Sequence, residues 1–107
     1  GDGYEQTGWV FFYFHVAQQD RVAAGTYLNA NDPVGHPSCE GGRATGTHVH
    51  IARKYNGEWI PADGFVPFTL SGWQVIAGER AYSGSLVNGD SIVTARPDGA
   101  HTSIITR

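Results

Sequence analysis

Hydrophobic and polar residues alternate along several short stretches of this chain, a pattern that predicts strands rather than helices. Residues 9–16 are apolar on both faces, which predicts a central strand. Residues 48–55 lead into Asn56-Gly57, the strongest two-residue hairpin signal, and therefore predict one arm of a β-hairpin. Residues 28–39 are dense in turn formers and contain two prolines, which predicts an irregular loop.

The C-terminal part of the chain has the same short-strand character. Residues 73–77, 82–87 and 91–95 predict three strands, the last two joined by Asn88-Gly89. The expected fold class is therefore all-β: an antiparallel sheet with long glycine- and proline-rich loops and a small C-terminal β extension. His101 has no neighbour at a metal-ligand spacing and is expected to lie in a surface loop.

Composition and charge narrow the range of partners. The 107 residues carry a formal net charge of −3, and the seven lysines and arginines are scattered, which argues against a nucleic-acid partner. The longest apolar run, residues 9–14, is far shorter than the ~20 residues that a membrane-spanning helix needs. We therefore expect no nucleic-acid partner and no membrane span. A chain of this length predicts one modest core, with a partner or a further segment as a possible source of additional buried surface.

Two histidines give the chain its candidate chemistry. His48 and His50 are two residues apart, so in a strand they would face the same way, with Cα atoms roughly 6 to 7 Å apart. A neutral imidazole binds zinc and also titrates near neutrality, so such a pair suits a metal site or acid–base catalysis. Two solvated histidines on an exposed strand are the alternative. The preceding residues, 39–46, form a glycine-rich loop without the lysine and serine or threonine of a phosphate-binding loop.

Residues 42–51, Gly-Arg-Ala-Thr-Gly-Thr-His-Val-His-Ile, resemble the T-G-x-H-x-H-x signature of lysostaphin-like (LytM-type) zinc endopeptidases, which cut peptide cross-links of bacterial cell walls. Residues 13–16, Tyr-Phe-His-Val, resemble the Y-x-H-L strand of that family. The resemblance implies that His50 binds zinc and that His48 and His15 are catalytic. It also implies that residues 1–68 are the C-terminal half of a peptidase core and that residues 69–107 are a short β-rich extension.

One feature of the family is absent from the sequence. The family holds zinc through His, Asp and His, and the first two ligands come from an H-x-x-x-D motif that this chain does not contain. The resemblance therefore implies that an N-terminal segment or another chain supplies them. With those ligands, the expected function is zinc-dependent hydrolysis of peptidoglycan cross-links, in a secreted bacterial protein acting at the cell wall.

Three alternatives remain open at the level of sequence. His15, His48 and His50 could form a three-histidine zinc site of the kind that activates water in hydratases. His36 and Cys39 could join the histidine pair in a four-ligand structural site, although their spacing matches no compact zinc module. The non-enzymatic alternative is a catalytically incomplete β-rich fragment, serving as an extracellular subunit that binds wall material or self-associates through strand edges.

Overall fold

The computed structural model describes residues 2–96 and residue 105, and within them the chain forms strands, turns and loops without a helix. The strands are β1 Trp9–Phe14, β2 His50–Tyr55, β3 Glu58–Trp59, β4 Thr69–Leu70, β5 Trp73–Ala77, β6 Gly84–Asn88 and β7 Ser91–Thr94. They form two sheets, with strand orders β1-β2-β3 and β4-β5-β6-β7. The expected all-β class is confirmed. No helix of the described part is long and apolar enough to cross a membrane.

Strand β1 differs from its prediction in length and in position. It ends at Phe14 and lies at the edge of the three-stranded sheet, where it pairs with the central strand β2 from Trp9↔Tyr55 to Phe14↔His50. The prediction of a central strand was therefore wrong for the described residues. An apolar pattern on both faces indicates that both faces of the strand favour burial. It does not determine whether the strand has one or two hydrogen-bonded neighbouring strands.

The predicted hairpin after β2 is confirmed. Asn56 and Gly57 have φ values of 48° and 85°, and positive φ at both central residues is characteristic of a type I′ turn. The Asn56 N–H donates to the Gly8 carbonyl at 2.9 Å, and the Gly8 N–H donates to Asn56 Oδ1 at 2.8 Å. These two hydrogen bonds fasten the turn to the residue that precedes β1, and so help to fix the β1–β2 register.

The three predicted C-terminal strands are confirmed as β5, β6 and β7, with ends that shift by up to two residues. Strand β4 was not predicted, because two residues are too short to show alternation; it pairs with β5 across Ser71-Gly72, where φ is 49° and 86°. The β6–β7 turn is Gly89-Asp90 rather than Asn88-Gly89, since Asn88 pairs with Ser91. A positive φ of 59° at Gly89 alone fits a type II′ turn.

The chain divides into two compact units, Gly1–Glu58 and Trp59–Arg107. Among the described residues, Val16 in the first unit and Phe68 in the second are the buried hydrophobic side chains, at 8% and 9% exposure. The core is therefore smaller than the modest core that chain length predicts. The expected division at residue 68 rests on the family resemblance and stays a prediction. His101 lies outside the described residues.

The hairpin turn provides a test of the fold. We expect Gly57→Ala to lower the free energy of unfolding, measured by urea denaturation, by about 1–2 kcal/mol. The backbone at residue 57 is left-handed, and there a Cβ would crowd the following carbonyl oxygen. Gly46→Ala is the control: φ there is not positive and an added Cβ would meet no atom within 4 Å. The control should change stability by less than about 0.5 kcal/mol. Equal losses in both variants would contradict the role of the turn.

Candidate functional site

The candidate site begins where β1 ends. His15 follows the last residue of the strand and adopts φ 62°, in the left-handed region that costs a non-glycine residue about 1–2 kcal/mol. Its side chain is buried, with 8% of the residue exposed. A strained backbone around a buried titratable group suggests a functional constraint, because surrounding structure must hold such a conformation in place.

The structure brings His15 and His48 together. The two ring centroids are 4.4 Å apart and the ring planes are inclined by 45°, so the imidazoles are in direct contact. His15 is buried whereas His48 is exposed, which leaves one ring of the pair open to a ligand from solution. The two histidines that the sequence assigned to one site are therefore neighbours, while the site itself and their catalytic roles stay predictions.

Both rings are oriented by hydrogen bonds to backbone carbonyls. Nδ1 of His15 lies 2.8 Å from the Glu40 carbonyl oxygen, and Nδ1 of His48 lies 2.8 Å from the Gly46 carbonyl oxygen. Because a carbonyl oxygen only accepts hydrogen bonds, each neutral ring must carry its proton on Nδ1. Nε2 is then the proton acceptor or metal ligand in both rings. This tautomer suits general-base catalysis by either imidazole.

His50 has a different neighbour from His48. It is the first residue of β2 and is exposed, and its ring lies 5.2 Å from the ring of Phe14, its partner in the β1–β2 ladder. His48 precedes β2 and makes an isolated antiparallel bridge with Ser38. The predicted strand arm therefore begins two residues late, because the loop around Ser38 occupies the place beside His48 that β1 would otherwise take.

No three His, Cys, Asp or Glu side chains are grouped to hold a metal ion within the part of the chain that the structure describes. A three-histidine site of His15, His48 and His50 is therefore not formed, nor is a four-ligand site that includes His36 and Cys39. Catalytic zinc requires three protein ligands and an open position. The described residues do not provide such a set, so His50 alone does not fit a catalytic zinc ion.

Two residues of the site were missed by sequence reasoning. Ser38 donates from its backbone N–H to the His15 carbonyl at 2.7 Å, and Glu40 provides the carbonyl that accepts from the His15 ring. Both lie in a loop rich in turn formers, where hydrogen bonds to a distant residue leave no periodic signature in the sequence. A glycine in the same loop, Gly42, also approaches the ring: an added Cβ would lie 3.1 Å from His15 Cε1.

The described chain is thus an all-β protein whose candidate site is a pair of contacting imidazoles. Its sequence is similar to that of a protease: it is 31% identical over 74 residues to protease LasA of Pseudomonas aeruginosa, in strains PAO1 and UCBPP-PA14. The match covers 61% of this chain and 18% of each relative, so the chain spans less than a fifth of their length. No family model matches the chain, and no solved structure matches it.

The close approach of Gly42 to the imidazole can be tested. We expect Gly42→Ala to shift the NMR resonance of His15 Cε1–H, because the added methyl group would press on that atom at 3.1 Å. Gly41→Ala is a matched control: φ at Gly41 is also positive, at 73°, but an added Cβ there would meet no atom within 4 Å. Backbone strain alone would shift the resonance equally in both variants, which would contradict the contact.

Proposed function

We propose that this chain is part of a zinc-dependent metalloendopeptidase that hydrolyses peptide cross-links of bacterial peptidoglycan. The observation that carries the proposal is the contact between His15 and His48, with Nδ1 of each ring bonded to a carbonyl and Nε2 left as the proton acceptor. The 31% identity to protease LasA supports a peptidase and agrees with the lysostaphin-like signature in residues 42–51.

The two imidazoles suit different parts of peptide hydrolysis. His48 is exposed, so its Nε2 can take the proton from a water molecule that attacks the scissile carbonyl. The same atom can then return that proton to the departing amine. His15 is buried beside it, and its ring, fixed by the bond from Nδ1–H to the Glu40 carbonyl, can position the His48 ring through their direct contact. This division follows from exposure, because the base must reach water while the neighbouring ring need not.

The metal part of the proposal depends on residues beyond those described. His50 is the one ligand that the family resemblance assigns to this chain, and the described residues do not group two more beside it. We propose that an upstream segment of a longer protein, or another chain, supplies the remaining His and Asp ligands. The chain spans 18% of each LasA relative, which is compatible with ligands carried elsewhere in a larger molecule.

The substrate and location are further parts of the proposal. The resemblance favours glycine-containing cross-linking peptides, since residues without side chains fit a narrow groove on a sheet. An enzyme with this substrate would act outside the cell, so we propose that the protein is secreted and works at the bacterial cell wall.

The first experiment measures intact mass, zinc content and peptide cleavage on the protein purified from its natural source without added metal. We expect about one zinc ion per molecule or complex, additional His and Asp residues in the purified material, and cleavage of a glycine-rich peptide that a chelator abolishes. A zinc-free 107-residue chain that cleaves no peptide, with or without added zinc, would overturn the proposal.

Substitution of the histidines tests their roles in the same preparation. We expect His48→Gln to lower kcat by about 10²- to 10⁴-fold, the usual contribution of a general base. His50→Ala should abolish zinc binding as well as cleavage. His36→Ala is the control, because His36 contributes its backbone carbonyl, which accepts from Ala17 N–H at 2.9 Å, and alanine keeps that carbonyl. A His48 variant with normal kcat would contradict the proposed role of the pair.

The edge position of β1 among the described strands favours a second candidate function. Three aromatic side chains on one face of this strand, Trp9, Phe11 and Tyr13, are each about half exposed. An exposed edge strand with an aromatic face can pair with another chain. The second candidate is therefore an extracellular subunit that binds wall material or self-associates. Zinc-free material that forms oligomers in sedimentation and cleaves no peptide would support it over the peptidase.

A further inference from the structure

Ser38 lies between the backbones of the two contacting histidines. Its N–H donates to the His15 carbonyl at 2.7 Å, and its own carbonyl accepts from His48 N–H at 3.5 Å. The Ser38 hydroxyl adds a second bond to the His15 carbonyl at 3.0 Å. A single serine therefore connects His15, the strained residue that follows β1, to His48, which precedes β2.

Glu40 completes the connection to the ring of His15. Its N–H donates to Ser38 Oγ at 3.0 Å, and its carbonyl accepts from His15 Nδ1 at 2.8 Å. The Glu40 carboxylate accepts a hydrogen bond from Gln18 N–H at 2.8 Å. This bond ties Glu40 to the backbone three residues after His15. The Ser38 hydroxyl thus donates to the backbone of His15 and accepts from Glu40, whose carbonyl binds the His15 ring.

We propose that Ser38 and Glu40 are positioning residues that hold the His15 ring as the Nδ1–H tautomer and keep its Nε2 unprotonated. The significance of this for catalysis rests on the proposed peptidase function, but the tautomer itself is a property of the chain. His48 provides an internal comparison, because its Nδ1 bonds to the nearby carbonyl of Gly46 and not to either positioning residue.

Loss of the Ser38 hydroxyl should affect the two rings differently. The hydroxyl is one of the two donors to the His15 carbonyl and the acceptor for Glu40 N–H, so Ser38→Ala removes two bonds that hold the Glu40 carbonyl opposite the ring. An imidazole without that acceptor reverts toward the Nε2–H tautomer that free histidine favours in water. His48 should keep the Nδ1–H tautomer, because its carbonyl partner is unchanged.

The test is long-range ¹⁵N–¹H NMR on the 107-residue chain above the titration range of the imidazoles. We expect Nδ1–H for both rings in the parent chain, a shift of His15 toward Nε2–H in Ser38→Ala, and no shift in Ser38→Thr, which retains the hydroxyl. Ser91→Ala, an exposed serine of the second unit, should change neither ring. An Nε2–H tautomer of His15 in the parent chain, or an unchanged tautomer in Ser38→Ala, would overturn the proposal.

If Ser38→Ala does not fold, Ser38→Cys decides the question in the same way, because a thiol fills the space but is a weak hydrogen-bonding group. If the purified protein cleaves peptide, we expect Ser38→Ala to lower kcat by about 10- to 100-fold with little change in KM. Losses of this size are typical when a residue that orients an active-site histidine is removed. An Nδ1–H tautomer in material without peptidase activity would leave the positioning role intact and overturn only the proposed function.

Discussion

The antiparallel register between β1 and β2 is the constraint on which the candidate site depends. It pairs Phe14 with His50 at the last position of the ladder, so His15, the residue after β1, is the first that can leave the sheet. The left-handed backbone at His15 then turns the chain, and residues 37–38 enter the gap between the two diverging segments, bridging Val16 on one side and His48 on the other. The contact between the His15 and His48 rings therefore exists because the ladder stops where it does.

The register is in turn fixed at its far end by the Asn56-Gly57 turn. Both hydrogen bonds between Asn56 and Gly8 join the turn to the residue before β1. The next residues along each strand, Trp9 and Tyr55, therefore lie opposite each other in the ladder. A slip of one residue would exchange the two faces of β1 and move His50 away from Phe14. The turn at one end of the β1–β2 ladder thus helps to determine which histidines meet at the other end.

Much of this architecture could be predicted from the sequence, because strands and tight turns are local properties. The Asn56-Gly57 turn, the apolar run of β1 and the three C-terminal strands each follow from a few neighbouring residues. The left-handed turn at His15 could not be predicted, since positive φ is uncommon for every residue other than glycine and the hydrogen bonds that stabilise it come from Ser38, which is distant in the sequence. The histidine motif identified the candidate residues, but the neighbours of each ring depend on a loop whose path no periodicity reveals.

Under the proposed peptidase function, the hydrogen bonds of the two imidazoles separate acid–base chemistry from metal binding. Each Nδ1 is hydrogen-bonded to a carbonyl of the described chain, so Nε2 is the proton-accepting atom of each neutral ring even without a ligand. Metal binding, by contrast, needs ligands that the described residues do not group together. In the proposed peptidase, the imidazole pair would therefore stay organised while zinc binding depends on another segment or chain. Such a division would make ligand supply, rather than the arrangement of the imidazoles, the step that controls activity.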